Sequence, residues 1–431
     1  MSRPVEAVLV AAACVVAALG VATVRFASGS WLDAQVFATL AAFGVAFGGL
    51  HLAVLRWAPG ADQLLLPLTG FLAAIGFAEV FRIDPELANI QRWSLLVAAA
   101  AGAVVLRLLR REGLGALRRY RYLFLAGAVL LLLLPLLPES WPIHGATVNG
   151  SRLWVRARIP GLSRALSFQP GELAKVFLVV FLASYLADRA PAMAVTDRRL
   201  GPLRLPEPRH LAPVVVAAGA AFLVLVYQRD LGASLVIFAL FVTMLYAATG
   251  RAIYLGLGAG LTVVGGVVGY VAFAHVRRRV AGWLWPFADY FDTGYQVAQG
   301  LFALGSGSLT GAGLGLGRPD LIPAATTDYI YAAIGEELGL AGTVAVLTAF
   351  ALWVAVGFGI ALRSKDRFRK FFATGLTTLV GLQSAVIVAG VLRLFPVTGV
   401  TLPFLSYGGS SLLASMIAVV LLARVSHEER P

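Results

Sequence analysis

The residues best suited to chemistry lie together in one long polar stretch, residues 276–337, between two apolar segments. They include three consecutive arginines, two aspartates and a Tyr-Gln pair: Arg277, Arg278, Arg279, Asp289, Asp292, Tyr295 and Gln296. A guanidinium binds phosphate or carboxylate through two parallel hydrogen bonds, and a carboxylate can take a proton from a hydroxyl. The stretch therefore favours a site for an anionic substrate beside a general base.

Each of these residues also has an ordinary interpretation. An arginine in such a stretch can pair with a lipid headgroup or with an acid such as Asp320. A loop aspartate is more often solvated or a turn cap than catalytic, which applies to Asp289. Asp292 lies three residues on and offers the same chemistry. Both interpretations stay open on the residues alone.

Polar residues also occur where two other apolar segments begin. Glu172 and Lys175 are three residues apart at a predicted helix start, so they share one face of that helix. This spacing favours a structural ion pair over a site. Asp230 lies in a tight turn between two apolar runs, where a turn cap and a site residue are equally compatible with its position.

Two glycine-containing motifs precede the last apolar segments. In Gly335-Glu336-Glu337-Leu338-Gly339, the acids are predicted to open a helix, where they would complement the helix dipole. In Tyr407-Gly408-Gly409-Ser410-Ser411, the pattern fits a closely packed helix entry or a backbone nest that binds an anion.

The composition predicts an all-α, polytopic helical membrane protein. Of the 431 residues, 59% are hydrophobic and only 13% are charged, which is more apolar than soluble domains are. The formal net charge of +13 is explained by basic cytoplasmic loops and anionic lipids, so nucleic acid is not expected as a partner. A single cysteine, Cys14, excludes an intrachain disulfide, and the five histidines show no metal-ligand spacing.

Apolar runs predict about twelve transmembrane helices. They cover about 5–25, 35–56, 62–80, 93–109, 122–138, 171–186, 212–227, 232–248, 252–274, 338–362, 372–392 and 407–424. A polar turn is predicted at 82–92 and a loop at 139–170. The basic loops predict that both termini are cytoplasmic and that the large loop at about 276–337 is extracytoplasmic.

The predicted outer loops are rich in arginine, against the usual charge bias. They hold Arg152, Arg156, Arg158, Arg164, Arg277, Arg278, Arg279, Arg318 and Arg393. So many arginines on the predicted outer side indicate that this interface binds phosphate or carboxylate groups.

Several motifs resemble those of the SEDS proteins (shape, elongation, division and sporulation), the RodA, FtsW and SpoVE group. The matching stretches are Gly150-Ser151-Arg152-Leu153-Trp154, Phe168-Gln169-Pro170-Gly171-Glu172-Leu173-Ala174-Lys175, Asp230-Leu231-Gly232-Ala233-Ser234, Arg277-Arg278-Arg279-Val280, Gly294-Tyr295-Gln296, Thr327-Asp328-Tyr329-Ile330-Tyr331, Gly335-Glu336-Glu337-Leu338-Gly339, Pro396-Val397-Thr398-Gly399 and Leu402-Pro403-Phe404-Leu405-Ser406-Tyr407-Gly408-Gly409-Ser410-Ser411. The resemblance covers about residues 62–425.

The resemblance implies a peptidoglycan glycosyltransferase that polymerises lipid II on the outer face of the bacterial cytoplasmic membrane, with a class B penicillin-binding transpeptidase as partner. It places Asp289 at the position of the family's catalytic aspartate, in a stretch where Trp285, Tyr290 and Asp292 depart from the family pattern. The family has about ten spans, so residues 1–60 would be two additional helices, 61–426 the core and 427–431 a cytoplasmic tail.

The resulting hypothesis assigns roles to individual residues. Asp289 would deprotonate the acceptor 4-hydroxyl, with inversion at the donor carbon and loss of undecaprenyl pyrophosphate. The expected substrate-binding residues, for the pyrophosphate, lipid II or the nascent glycan strand, are Arg152, Arg277, Arg278, Arg279, Glu172, Lys175, Tyr295, Gln296, Glu336 and Ser410. A divalent cation, Mg²⁺ or Mn²⁺, could assist at the pyrophosphate, but no ligand set demands one.

Three alternatives stay open. A lipid II flippase or another polytopic transporter fits the number of spans, although charged residues crowd the predicted outer interface rather than the midplane. A non-catalytic scaffold for division or elongation proteins needs no general base. A different lipid-linked sugar ligase or polymerase would use the same combination of arginine and acid, and only the motifs favour a SEDS protein over it.

Overall fold

The computed structural model describes residues 3–30, 33–148, 151–157, 166–194, 198–200, 203–205, 215–216, 218–219, 228 and 230–429. This part of the chain is mostly helical, with two small antiparallel sheets. Ten of its helices are long and apolar enough to cross a membrane. The chain is therefore a multi-pass helical membrane protein.

Fifteen α-helices are described, and several spans contain more than one of them. In chain order they are α1 (Pro4–Ala27), α2 (Ala34–Phe43), α3 (Gly49–Trp57), α4 (Leu65–Ile83), α5 (Pro85–Glu112), α6 (Gly115–Arg119), α7 (Arg121–Leu133), α8 (Pro170–Ala194), α9 (Leu231–Thr249), α10 (Ile253–Ala272), α11 (Ala274–Leu284), α12 (Tyr295–Gly307), α13 (Ile330–Arg363), α14 (Arg367–Val391) and α15 (Gly409–Glu429). A π-helical turn, Gly44–Gly48, joins α2 and α3 into one span.

The number of spans in the described residues is close to the predicted twelve. Besides the ten long helices, a shorter apolar helix covers Arg121–Leu136. The predicted span 212–227 lies almost entirely outside the described residues, so the number twelve stays a prediction. The division at residues 60 and 426 also stays a prediction, although α15 continues to Glu429, past the predicted start of the tail.

The predicted polar turn at 82–92 is wrong. Helix α4 ends at Ile83 and α5 begins at Pro85, so Asp84 alone separates them. The Asp84 Oδ1 atom accepts hydrogen bonds from the N–H groups of Glu86 (2.9 Å) and Leu87 (3.0 Å). Proline suits the first helical position because its missing N–H would have no helical partner there. One capping residue therefore starts a helix of 28 residues where a longer turn is predicted.

The predicted loop at 139–170 contains a three-stranded antiparallel sheet. Its strands are β1 (Ile143–Val148), β2 (Ser151–Ala157) and β3 (Leu166–Phe168), in the order β1-β2-β3. Ala146 is paired with Trp154, and Val155 with Phe168. A second antiparallel pair consists of β4 (Arg198–Leu200) and β5 (Leu203–Leu205).

The long stretch 276–337 is also more regular than the sequence predicts, since it contains most of α11, all of α12 and the beginning of α13. Helix α13 begins eight residues earlier than the predicted span, at Ile330. It is interrupted at Gly339, whose φ of 66° and ψ of −164° are not helical. A short helical segment thus precedes the long apolar one.

The described chain divides into two compact units. The first consists of residues 1–110, 264–356 and 383–431, and the second of residues 111–263 and 357–382. In the second unit, α7, α8 and α9 pack around small and branched apolar side chains. These are Ala128, Leu132, Ala174, Leu178, Ala233 and Ile237.

In the first unit, the N-terminal helix is anchored by buried polar contacts. Arg3 donates hydrogen bonds to the carbonyls of Pro59 (2.9 Å) and Ala61 (2.6 Å) and forms an ion pair with Glu6. The Nδ1 atom of His51 lies 2.6 Å from Glu6 Oε1. Because burying an unpaired charge is costly, these contacts fix the position of α1. The remainder of α1 packs on α4, where Gly20 allows Ala78 to approach closely.

A second close approach in the first unit joins α4 to the segment before α15. A Cβ atom at Gly76 would lie 2.3 Å from the carbonyl oxygen of Leu405 and 2.4 Å from its Cα. The preceding residue, Phe404, has a positive φ of 68°, which is unusual for a residue with a side chain. Buried contacts hold this strained backbone in place, including the packing of Phe404 against Trp353.

We therefore expect Gly76→Ala to reduce the free energy of unfolding by about 1–3 kcal/mol, because an added methyl would have to displace backbone atoms. The thermal unfolding midpoint in detergent measures the effect. Gly260→Ala in α10 is the matched control, since no atom lies within 4 Å of its Cβ position and alanine favours helix. Equal midpoints for the two variants would contradict the close approach.

Candidate active-site cleft

A small polar cleft in the first unit brings together residues from four separate stretches of sequence. Its volume is about 90 Å³. Its lining consists of Arg279, Gly282, Thr293, Gln296, Val297, Asp328, Val397 and Gly399. A cation, an acid and an amide thus face a common space, which suits an anionic, hydroxyl-bearing ligand.

Asp289 lies on the exposed turn that joins α11 to α12. Its Oδ2 atom accepts hydrogen bonds from the Thr293 hydroxyl (2.8 Å) and, more weakly, from the Thr293 N–H (3.4 Å). The turn is closed by the Gly294 N–H, which donates to the Asp289 carbonyl (3.0 Å). Thr293 lines the cleft, so the Asp289 carboxylate lies next to the cleft rather than in its wall.

Glycines allow this turn to pack tightly. A Cβ atom at Gly294 would lie 1.9 Å from the Pro286 carbonyl oxygen. One at Gly282 would lie 2.4 Å from the Thr293 carbonyl oxygen. Both positions therefore need glycine for the backbone to approach so closely. Asp292 is exposed on the same turn and does not line the cleft.

The three consecutive arginines occupy different environments. Arg279 lines the cleft and donates from Nη1 to the carbonyl of Thr398 (3.1 Å). Arg277 instead donates to the carbonyls of Val271 (2.8 Å) and Tyr270 (3.3 Å) at the end of α10. Arg278 is exposed. The structure thus brings one of the three predicted arginines into the cleft and assigns a second to capping a helix.

The predicted Tyr-Gln pair is also divided between two roles. Gln296 lines the cleft, and its Nε2 donates to the carbonyl of Pro323 (3.1 Å). Tyr295 packs edge-on against Tyr290, with ring centroids 5.7 Å apart, and does not line the cleft. Gln296 therefore joins α12 to the segment that leads to Asp328, and Tyr295 supports the turn.

Asp328 is the residue that sequence reasoning missed. It lines the cleft and is half-buried, and it belongs to the stretch of the first unit that leads into α13. Burial first, and then the nearby Asp328 carboxylate, raise the pKa of the Tyr329 hydroxyl above its ordinary value. The available signal was its occurrence in Thr327-Asp328-Tyr329, a stretch that matches the SEDS proteins but contributed no predicted site residue.

The prediction that Glu336 and Glu337 open a helix is wrong, because they lie in the turn of α13 before its interruption at Gly339. Glu337 is fully buried, and its Oε1 lies 3.1 Å from Arg82 Nε. Its carboxylate also accepts hydrogen bonds from the N–H groups of Gly315 (2.8 Å) and Gly317 (3.2 Å). The glycine-rich stretch between α12 and α13 thus wraps around this acid.

Glu336, a predicted substrate-binding residue, faces the same glycine-rich stretch. Its Oε1 accepts a hydrogen bond from the Arg318 N–H (2.9 Å), and the residue is not part of the cleft lining. Ser410, another predicted substrate-binding residue, is buried in the first turn of α15 and is likewise not part of the lining. The Tyr407 N–H donates to the Thr326 carbonyl (2.8 Å), so one N–H of the hypothetical nest is already used.

Three predicted site residues belong to the second unit. Glu172 and Lys175 are buried, and the Lys175 Nζ atom lies 2.9 Å from Glu172 Oε2, as their spacing predicts. Arg152 donates from Nη2 to the carbonyl of Leu137 (2.8 Å). Asp230 caps α9 through a hydrogen bond from the Ala233 N–H (2.9 Å), which supports its interpretation as a turn cap. Arg158 and Arg164 lie outside the described residues.

No metal site is evident in the part of the chain that the structure describes, because no three His, Cys, Asp or Glu side chains there form a suitable group of ligands. The cationic group in the cleft is the Arg279 guanidinium. A role for Mg²⁺ or Mn²⁺ therefore stays a prediction without assigned protein ligands.

The fold and the cleft define a multi-pass helical membrane protein whose polar site is built from segments that connect apolar helices. The sequence model of the FtsW/RodA/SpoVE family, described as cell cycle proteins, matches residues 66–431. The chain belongs to this family.

Individual relatives and solved structures agree with this assignment. The chain is 40% identical over 400 residues to the peptidoglycan glycosyltransferase RodA of Mycobacterium tuberculosis (strain ATCC 25618 / H37Rv). This alignment covers 90% of this chain and 83% of that protein. It is 32% identical to the stage V sporulation protein E of Bacillus subtilis (strain 168), covering 86% of this chain and 98% of that protein. A solved structure described as a peptidoglycan synthase complex that coordinates polymerization and crosslinking has a TM-score of 0.65 and 26% identity, and covers 86% of this chain and 98% of that chain.

The surroundings of Glu337 give a testable prediction. We expect Glu337→Gln to loosen the glycine-rich stretch, because hydrogen bonds to a charged group are worth about 1.5–3 kcal/mol each and the Arg82 charge would lose its partner. Hydrogen exchange of the Gly315 and Gly317 amides should become faster.

The control for this prediction is Asp320→Asn. Asp320 forms an exposed ion pair with Arg318 (3.2 Å), whose guanidinium lowers the pKa of the Asp320 carboxyl. Exposed pairs contribute little to stability, so amide exchange at the two glycines should stay as in the wild type. Equal protection in Glu337→Gln and the wild type would show that the buried acid does not hold this stretch.

Proposed function

We propose that this protein is a peptidoglycan glycosyltransferase that polymerises lipid II into glycan strands, with inversion and with undecaprenyl pyrophosphate as the leaving group. The observation that carries the proposal is the cleft that both Arg279 and Asp328 line, with the exposed Asp289 held beside it by Thr293. The names of the relatives and of the matched synthase complex support the same activity.

Asp289 is the proposed general base. Its Oδ2 is held by Thr293, which fixes the direction of the carboxylate, and its exposure lets a sugar hydroxyl approach. Asp289 takes the proton of the acceptor 4-hydroxyl as that oxygen attacks the donor anomeric carbon. The new glycosidic bond forms while the bond from this carbon to the pyrophosphate oxygen breaks, and the electron pair leaves with the pyrophosphate.

Arg279 is the proposed ligand of the leaving pyrophosphate. Its guanidinium uses one donor on the Thr398 carbonyl, and a guanidinium has five N–H donors in all. Negative charge on the pyrophosphate oxygen increases as the bond breaks, so a fixed cation stabilises the transition state more than the bound substrate. Arg278, exposed on the same helix, does not line the cleft.

The residues of the second unit keep the roles that the resemblance implies. In this proposal Glu172, Lys175 and Arg152 contact the polar part of lipid II. Lys175 is a buried ammonium paired with Glu172. Because buried charges in a membrane protein are costly, those that occur usually have a structural or a functional role. A structural pair and a functional pair would have the same geometry. The functional role is therefore supported by the motif in which the pair occurs.

The proposal extends to location and partner. The basic stretches 107–121 and 363–370 support an insertion with both termini in the cytoplasm of a bacterial cell, in its cytoplasmic membrane. The matched synthase complex combines polymerization with crosslinking, which supports a class B penicillin-binding transpeptidase as the partner of this chain.

The test is polymerisation of labelled lipid II by the purified protein, with and without its cognate transpeptidase. We expect glycan ladders from the wild type and a loss of about 100-fold or more in rate for Asp289→Asn, since general base catalysis contributes about 10²–10⁴-fold. Separation of the labelled products by gel electrophoresis shows the glycan ladders and measures the rate of polymerisation.

Asp292→Asn is the matched control, because Asp292 is an exposed acid on the same turn that is not part of the cleft lining. Its rate should stay within a few-fold of the wild type, as for surface substitutions in general. Ladders of equal intensity from Asp289→Asn would remove Asp289 from the mechanism. Absence of ladders from the wild type, even with the partner, would instead favour the flippase or scaffold alternatives.

A further inference from the structure

The geometry points to Asp328 as a positioning residue that orients the Arg279 guanidinium toward the leaving pyrophosphate. This inference deepens the proposed function and rests on it. Neither the resemblance nor the sequence assigned Asp328 a role, and three kinds of contact in the structure support one.

The first is the rigidity of the backbone on both sides of Asp328. The Thr326 carbonyl accepts a hydrogen bond from the Tyr407 N–H (2.8 Å), and the Thr327 carbonyl accepts one from the Ser406 hydroxyl (2.6 Å). The Ser406 Oγ atom in turn accepts a hydrogen bond from the Leu402 N–H (2.8 Å). The segment before α15 thus fixes the two residues that precede Asp328.

The residue that follows Asp328 is equally fixed. Tyr329 is fully buried, and a Cβ atom at Gly300 of α12 would lie 2.5 Å from its ring, so the ring packs directly on the helix backbone. Its N–H donates to the Ala324 carbonyl (3.1 Å). Asp328 therefore projects from a backbone that is held on both sides, which is the arrangement expected of a group that must keep its position.

The second kind of contact places Arg279 next to this acid. From the Cβ position of Gly399, Arg279 Nη2 is 3.3 Å away and Asp328 Oδ2 is 3.8 Å away. Gly399 has a positive φ of 76°, so glycine is favoured there for its backbone conformation as well. The Arg279 guanidinium and the Asp328 carboxylate therefore both lie beside this glycine.

The third is the division of the Arg279 donors. Nη1 donates to the Thr398 carbonyl, and Nη2 lies on the side of Gly399 and Asp328. With the Thr398 carbonyl bound at Nη1 and the Asp328 carboxylate on the side of Nη2, the rigid fork of guanidinium donors has one preferred orientation. The donors that remain can then face the pyrophosphate without a further loss of rotational freedom.

The electrostatic cost of this arrangement makes the inference testable. A carboxylate next to an anion site repels the anion, so by charge alone the removal of Asp328 should tighten the binding of pyrophosphate. If Asp328 instead positions Arg279, the removal of Asp328 should weaken the binding of pyrophosphate, because Arg279 would lose its orientation. The two explanations predict opposite signs.

The experiment measures the affinity of the detergent-purified full chain for inorganic pyrophosphate by isothermal titration calorimetry. We expect Asp328→Asn to bind pyrophosphate roughly tenfold more weakly than the wild type. Arg279→Gln should bind at least as weakly, and Asp328→Asn combined with Arg279→Gln should show no further loss, because the acid acts through the arginine. Asp320→Asn, the exposed acid paired with Arg318, should bind as the wild type does.

The same variants give a kinetic readout with lipid II. Asp328→Asn should lower kcat and kcat/KM by a similar factor of about 10–100, because a small misplacement of a group acting in the transition state costs about that much. Unchanged or tighter pyrophosphate binding in Asp328→Asn would overturn the inference, as would additive losses in the double variant. Because pyrophosphate binding does not require polymerisation, a wild type that binds pyrophosphate in this pattern but makes no glycan would refute the proposed activity alone.

Discussion

The carboxylate of Glu337 is fully buried in the first unit, and the arrangement of the segments that precede the long apolar part of α13 depends on satisfying its charge. An isolated carboxylate in an apolar interior costs several kcal/mol or more, so it needs a cation and hydrogen-bond donors. Arg82 supplies the cation from α4, and the N–H groups of Gly315 and Gly317 supply the donors. The stretch between α12 and α13 must therefore curl around the acid. The interruption at Gly339 lets it pack closely, since a Cβ atom there would lie 2.3 Å from the Gly311 nitrogen.

The cleft has a rigid part and an exposed part as a result. The segment that contains Asp328 runs directly into the helical turns that end at Glu337, and hydrogen bonds from Ser406 and Tyr407 hold it from the other side. Asp289, by contrast, is exposed and is held through Thr293 on a short turn. This division suits a polymerase, because the charge that stabilises a leaving group must be preorganised, whereas the acceptor side must admit a growing and variable strand.

Sequence patterns predicted what depends on local chemistry and missed what depends on distant contacts. Apolar runs located the described membrane helices, and the i, i+3 spacing predicted the ion pair of Glu172 and Lys175. The three-stranded sheet at 143–168 was missed because its strands are short and their pairing is not visible in any single segment. Asp328 was missed for a similar reason: it lies near Arg279 only in the folded chain, where the segments that contain Arg279, Asp328 and Gly399 line one cleft.

The three consecutive arginines show why sequence alone does not say which members of a charged run reach a common cleft. They lie on α11, where successive side chains point about 100° apart around the helix axis, so three in a row do not lie on one face of the helix. The structure distributes them accordingly: Arg277 caps the carbonyls at the end of α10, Arg278 is exposed, and Arg279 lines the cleft. In the proposed mechanism, Arg279 is then the guanidinium of this helix that holds the pyrophosphate. One cation can do so effectively only if its orientation is fixed, so a neighbouring carboxylate is useful despite its charge.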